Sequence, residues 1–334
     1  IKAEQIVEAI NAANGKTLWE VKFPTRYRSG IAPDDGPRCV PLIHDGRVYL
    51  HSAEGDVLAF DLADGRRRWE RNLASDYDTP EGFFGAGSTP IVVGDKLLVN
   101  VGGRGGAGIV AVALADGKTV WKATDEQASY SSPTIAVVDG VRHAIFVTRL
   151  NVVSLNPDDG TVRFRFPFGK RGPTVNAATP LVCDGKLFVS ASYGVGSIMA
   201  TIGADEARPL WAADDAISSQ YSTSIYEKGH LYGIDGRSDD DLPCTLRAVD
   251  AATGKVLWKE ETRVGSLIFA DGKLLILLED GTLTLARVSP KGYQALASAK
   301  VLAGTTRALP ALASGALYVR DSDTLKCLEV GAAQ

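Results

Sequence analysis

The sequence predicts an all-β protein, a β-propeller of four-stranded antiparallel blades, and three observations predict it. The chain has five tryptophans, and each closes the same phrase: NGKTLW at Trp19, DGRRRW at Trp69, DGKTVW at Trp121, EARPLW at Trp211 and TGKVLW at Trp258. Two weaker copies, DGTVRF ending at Phe164 and KGYQAL ending at Leu296, fill the gaps, and the resulting period of about 46 residues is that of a propeller blade. Between the copies run short apolar segments separated by Asp-Gly turns, without the 3.6-residue periodicity of helices.

One unit, residues 38–73, shows how the elements follow. Strand one lies near RCVPLI, then the turn HDG, strand two RVYLHS, the turn AEG, strand three DVLAFDL, the turn ADG and strand four RRRWERNL. Asp-Gly is the two-residue hairpin signal, because glycine supplies the positive φ that tight turns need. Strand three places Val57, Ala59 and Asp61 on one face and Leu58, Phe60 and Leu62 on the other, both largely apolar. A sheet with two apolar faces must be covered on both, so the units are expected to stack as one domain over residues 1–334, with repeats near 1–23, 38–73, 87–125, 130–168, 177–215, 221–261, 264–301 and 307–330.

The aromatic series Trp19, Trp69, Trp121, Phe164, Trp211 and Trp258 has a structural reading. A large ring on each outer strand can lie over the glycine turn of the next blade and bury about 150–250 Å², worth at most about 4–6 kcal/mol gross. The blade count follows from the ends. Strand three occurs at both, as IVEAIN and TLKCLEV, and a seven-bladed ring closed by shared strands has room for only one. Eight blades are therefore expected, with the first strands upstream of Ile1; seven is the alternative.

Composition bounds the function. The 334 residues are 45% hydrophobic and 23% charged, as in a folded globular chain. A net charge of −4 with no basic block lacks the electrostatic footprint of a nucleic-acid binder. No apolar run reaches the roughly 18–20 residues that cross a bilayer as a helix. The chain begins at Ile1 with neither an initiator Met nor a signal-like segment, so a processed or trimmed product is expected. Cys39, Cys183, Cys244 and Cys327 form no CxxC pair, and their redox state is open.

Residues 103–108, GRGGAG, match a dinucleotide-binding GxGxxG. That motif requires a helix to begin at the glycines. Here an alternating strand, GIVAVAL, follows and runs into ADGKTVW, so the glycines read as an enlarged hairpin loop. His44, His51, His143 and His230 lack metal spacing, fall beside turns or in strand two, and are expected in turn or surface roles. DGRSDDD at 235–241 reads as a solvated hairpin tip rather than a calcium loop, and APDDG and NPDDG read as turns. No metal site is expected.

The unit DGRVYLHSAEGDVLAFDLADGRRRW at 45–69, echoed in GDKLLVNV, GIVAVALADGKTVW, DGKLFVSASYG and LRAVDAATGKVLW, resembles the PQQ-like (quinoprotein alcohol dehydrogenase-like) β-propeller repeat family across essentially the whole chain. That family includes quinone-dependent dehydrogenases and non-catalytic proteins such as the outer-membrane assembly lipoprotein BamB, so the resemblance speaks for fold more than activity. It implies an extracytoplasmic location, periplasmic or secreted. A quinone enzyme of this kind needs an aromatic floor, commonly tryptophan, cations for the cofactor's carboxylates, a metal held by oxygens and a carboxylate base; many members add a disulfide between adjacent cysteines. This chain has no adjacent cysteines, and its tryptophans all belong to the blade phrase.

Ligands of propellers gather where the loops from one blade's outer strand reach the next blade's inner strand. Aligned on Pro41, Pro90, Pro133, Pro180 and Pro310, with Ser224 and Leu267 where the proline is missing, the residue three before is Arg38, Gly87, Tyr130, Ala177, Tyr221, Val264 and Arg307. Arg38, Tyr130, Tyr221 and Arg307 are thus the candidate ligand contacts, with Phe84, Ser131 and Asn176 beside them. They suit an anionic, carbohydrate-like or peptide ligand, or merely order the loops. The favoured reading is a non-catalytic BamB-like scaffold, without cofactor, that binds a protein or peptide. A PQQ- and calcium-dependent oxidoreductase of an alcohol or sugar is the alternative, and a carbohydrate-binding propeller a third.

Overall fold

The computed structural model describes residues 3–30 and 35–331. Six antiparallel meanders of four strands occupy residues 42–72, 91–123, 134–167, 181–213, 225–262 and 265–300, and one of three strands occupies 311–329. Among the described residues these are the seven blades of a β-propeller, six of four strands and the last of three. We number them one to seven. The expectation of eight is corrected to seven, the alternative count. The N-terminal segment supplies Ala3–Ile10 and Thr17–Thr25, which pair only with each other and make a hairpin, not a further blade. Apart from one helical turn, Leu73–Asp76, capped by the Asn72 side chain on the Ser75 N–H, the described elements are strands.

The blade of residues 42–72 shows how the sequence dictates this. Leu42–His44, Arg47–His51, Asp56–Asp61 and Arg67–Asn72 are its strands. Asp45 and Gly46 both take positive φ, 45° and 69°, giving the tight turn whose twist matches the flanking strands. Val57, Leu58, Ala59 and Phe60 are all fully buried. Val57 and Ala59 join Leu97, Val99, Val110 and Val112 of the second blade. Leu58 and Phe60 join Phe23 of the N-terminal hairpin. Both faces are covered, as the alternation requires.

The chain forms two compact units, residues 1–180 with 202–207, and 181–201 with 208–334. In the first, apolar clusters seal the hairpin to blade one, blade one to blade two, and blade two to blade three. In the second, clusters seal blades four to five, five to six, and six to seven.

The tryptophans hold these seams. A Cβ placed on Gly65 would fall 2.6 Å from the Trp19 ring, on Gly117 2.8 Å from Trp69, on Gly160 2.6 Å from Trp121, and on Gly254 2.8 Å from Trp211. Each of those glycines is in the strand-three to strand-four turn of the next blade and has φ between 70° and 78°. The indole N–H adds a bond to the same turn: Trp19 to the Leu62 carbonyl, Trp69 to Leu114 and Trp211 to Ala251, each at 2.9 Å. Where that glycine is missing, Trp258 donates to the Ser289 carbonyl at 2.7 Å and meets the Tyr293 ring. Under Trp69, Trp211 and Trp258 lies an aromatic ring of strand two, Tyr49, Phe188 or Tyr232.

Blade three varies this scheme. Its outer ring is Phe164, and the strand-two ring beneath it is His143, 5.9 Å away. Phenylalanine has no N–H to donate; instead Arg163 reaches Asp205 in the following turn at 3.3 Å. His143 is fully buried and His51 is 4% exposed, which corrects the expectation of turn or surface roles for both. They stand in strand two, and a hydrogen bond holds each ring, between His143 Nδ1 and Ser154 Oγ and from His51 Nδ1 to the Ser88 carbonyl.

This arrangement predicts a pH dependence. Burial first, then the Arg163 guanidinium, lowers the His143 pKa below its ordinary 6.5, against a smaller opposing pull from Asp205. The unfolded chain then binds the proton more readily than the folded one. Stability is full above about pH 6.5 and falls as pH drops below it. His143→Phe, which keeps a ring under Phe164, should flatten the acid limb of urea midpoints measured between about pH 5 and 7. An unchanged limb would show that His143 is not responsible.

The other turns behave as read. Residues 103–108 are the tip of the hairpin between Lys96–Asn100 and Ile109–Ala113, with no helix at the glycines. NPDDG turns at Gly160, φ 78°; of APDDG at 32–36, residues 32–34 lie outside the described residues. In DGRSDDD, Asp235 ends strand two of blade five and pairs with Arg247 at 2.6 Å, while Asp239 and Asp240 pair with Arg237.

Candidate functional site

Two polar elements stand out, the segments that lead into the inner strands and a cleft in the first unit. The segments are built from a repeated register. Two residues before the proline, Ser88 Oγ donates to the Ser131 carbonyl and Ser131 Oγ to the Ala178 carbonyl, both at 2.8 Å. One residue before it, the Val40 N–H donates to Thr89 Oγ1 at 3.0 Å and the Thr89 N–H to Ser132 Oγ at 3.2 Å. A hydroxyl at each step thus ties one blade to the next where no strand pairing is available.

The candidate contacts of the first unit are drawn into this belt. Tyr130 Oη accepts from the Phe84 N–H at 2.9 Å, and the two rings meet edge to face at 5.4 Å. A Cβ on Gly87 would fall 2.4 Å from the Tyr130 ring and 3.3 Å from Arg38 Cβ, so the glycine lets Arg38 and Tyr130 close over it. The Tyr130 N–H donates to the Asn176 carbonyl at 3.0 Å, and Asn176 Nδ2 to the Thr148 carbonyl at 2.8 Å. Arg38, Phe84, Tyr130, Ser131 and Asn176 are therefore one connected group, in which Tyr130 Oη, Ser131 Oγ and Asn176 Nδ2 bond to neighbouring backbone. In the second unit Tyr221 and Arg307 come together around a residue sequence reasoning missed, Glu279. Arg307 Nε lies 4.0 Å from Glu279 Oε2, and burial, reinforced by Glu279, pushes the Tyr221 phenol up.

The cleft has a volume of about 880 Å³ and lies beside the outer strand of blade three. Its lining includes Asp125, Glu126, Arg149, Arg163, Arg165 and Arg171. Glu126 is 8% exposed and its carboxylate is fully engaged, by Thr148 Oγ1 at 2.9 Å, Asn151 Nδ2 at 2.9 Å and Arg165 at 3.3 Å. Arg149 is spent on the carbonyls of Lys170 and Gly172 and on Thr174 Oγ1. Arg165, 59% exposed, and Arg171, exposed, turn cationic groups to solvent. The sequence carried a signal for this: VRFRF places two arginines in alternation where other outer strands carry the tryptophan phrase.

A PQQ–calcium centre does not fit these residues. All five indoles lie on outer strands, four of them over glycine turns, so none can form a cofactor floor. Among the described residues no group of three or more His, Cys, Asp or Glu side chains could hold a metal.

Comparison with known proteins places the chain. The sequence pattern of one family, described as outer membrane protein assembly factor BamB, matches residues 3–260. The chain is 23% identical over 293 residues to outer membrane protein assembly factor BamB of Yersinia pestis, covering 83% of this chain and 65% of that protein. Over 100 residues it is 33% identical to 1-butanol dehydrogenase (cytochrome c) of Thauera butanivorans, covering 29% of this chain and 14% of the enzyme. It therefore spans less than two thirds of the length of either relative. Among solved structures, BamB from Moraxella catarrhalis matches with a TM-score of 0.69 at 17% identity, covering 96% of this chain and 90% of that one, a likeness of fold.

Proposed function

The chain belongs to the outer membrane protein assembly factor BamB family, and from that premise we propose that it is a non-catalytic, extracytoplasmic propeller that binds a protein partner in outer-membrane protein assembly. The observation that carries this reading is the deployment of the tryptophans. A quinone dehydrogenase on this scaffold needs an aromatic floor for its flat cofactor, and here every indole holds one sheet, the N-terminal hairpin or a blade, to the next. Of the candidate contacts in the first unit, Tyr130, Ser131 and Asn176 likewise bond to backbone of adjoining segments rather than converge as acid, base or metal ligands. The first unit offers solvent a cleft in which Arg165 and Arg171 suit an acidic segment of a partner.

In-cell photocrosslinking from position 171 in the native host tests the reading. A crosslink to a component of outer-membrane protein assembly is expected, lost in the double variant Arg165→Glu, Arg171→Glu. Stoichiometric binding of PQQ and calcium to the purified chain, with reduction of an electron-accepting dye by an alcohol or sugar, would overturn it.

A further inference from the structure

Buried polar atoms without hydrogen-bond partners are unevenly placed in the second unit. Among its described residues they are Tyr221 Oη, Ser222 Oγ, Ser224 Oγ, Arg237 Nε and Glu279 Oε2. Three belong to the segment leading into blade five; the others lie in the loops joining strand two to strand three in blades five and six. An unpaired buried hydroxyl or carboxylate oxygen costs about 1–3 kcal/mol, more for a charged group, and native folds keep such atoms where something else completes them.

Three of these groups share one place. The Glu279 backbone is held between two blades: its N–H donates to the Val264 carbonyl at 2.9 Å, and its carbonyl accepts from the Thr306 N–H at 2.7 Å. Val264 belongs to the apolar cluster against which Tyr221 packs, and Arg307 follows Thr306. Tyr221, Glu279 and Arg307 are thereby neighbours, and Ser222, 3% exposed, adds a desolvated hydroxyl next to Tyr221. The pair of Glu279 and Arg307, at 4.0 Å, is close enough to attract but too long to be a hydrogen bond, and Arg307, 45% exposed, carries the edge of the group to solvent while the Tyr221 and Glu279 oxygens lie buried behind it.

The chemistry of this set narrows its ligand. An anion would meet the Glu279 carboxylate, and a bare cation the Arg307 guanidinium. A pair of adjacent hydroxyls satisfies both, because each hydroxyl donates and accepts. We propose that this mouth of the second unit binds a neutral sugar or polyol, with Glu279 accepting from one hydroxyl, Arg307 and the Tyr221 phenol donating to its neighbour, and the Tyr221 ring lying against the apolar face of the ligand. The site is separate from the cleft of the first unit and does not depend on partner docking there.

Titration calorimetry of the purified chain with glucose, N-acetylglucosamine and maltotetraose tests it. Saturable one-to-one binding of at least one is expected, weakened about tenfold in Glu279→Gln and in Tyr221→Phe, with melting temperatures no lower than the parent's. Arg165→Glu, Arg171→Glu should bind the sugar unchanged, which separates failure at this site from failure of the partner reading. Absence of saturable binding with all three sugars, equal affinity in both site variants, or a sugar-soaked crystal with only ordered water between Tyr221 and Glu279 would overturn the proposal.

Discussion

Trp69→Ala is expected to lower the free energy of unfolding by about 3–5 kcal/mol, among the largest single-residue effects in this fold. The ring is 9% exposed, lies 6.1 Å from Tyr49 within its own blade, and covers Gly117 of the next. Its N–H satisfies the Leu114 carbonyl, to which Arg47 also donates at 2.9 Å. Truncation removes apolar contact on both sides of the seam and one hydrogen bond. It also leaves a cavity beside the turn at Gly117, φ 72°. Trp69→Phe keeps most of the contact and loses the bond, so it should cost about 1–2 kcal/mol. Urea unfolding of the two variants separates packing from hydrogen bonding. If alanine costs no more than phenylalanine, the seam is not held by ring burial.

The repeat was legible because the same physics recurs at every seam. A ring on strand four and a glycine one blade later are both visible as text, and their spacing in Trp19 and Gly65, Trp69 and Gly117, or Trp211 and Gly254 is close to one blade. The alternation of Val57 to Phe60 likewise declares two buried faces, and all four residues are buried. The blade count was not legible, because it depends on whether terminal strands pair into a meander, and pairing between distant segments leaves no local pattern.

The candidate site was legible only by position. The proline register singled out Tyr130, Tyr221 and Arg307 as residues ahead of the inner strands, yet it could not say what their polar atoms bond. Tyr130 turned out to be spent on the Phe84 N–H, whereas the Tyr221 hydroxyl is buried without a partner. Glu279 escaped notice because it sits in a loop outside the proline register, and its relation to Arg307 is purely tertiary. His143 escaped because its role depends on a missing tryptophan: only where Phe164 replaces the indole does an imidazole fill the ring position beneath it.

Gly108→Ala is expected to cost about 3 kcal/mol, and Gly105→Ala, three residues earlier in the same hairpin tip, only about 1 kcal/mol. Gly105 has open space around the position of a Cβ, and its φ of 65° is the sole obstacle to a side chain. Gly108 does not need positive φ, but a Cβ there would lie 2.6 Å from the Glu126 carbonyl oxygen, 2.6 Å from Thr124 Oγ1 and 2.7 Å from the Glu126 nitrogen. Two of those three atoms are backbone, held by the bond from the Gly108 N–H to the Thr124 carbonyl at 2.9 Å, so the loop and not a flexible side chain must move. That loop carries Glu126, whose carboxylate anchors Arg165 at the rim of the cleft. The last glycine of a phrase that reads like a phosphate cradle thus serves close packing between a hairpin and the loop that orders a cationic surface. Urea melts of both variants, with the crosslink from position 171 as second readout, test this: Gly108→Ala should lose stability and crosslinking together, and Gly105→Ala should keep the crosslink. Equal stability losses would show that backbone conformation, rather than contact with residues 124–126, decides the fate of this loop.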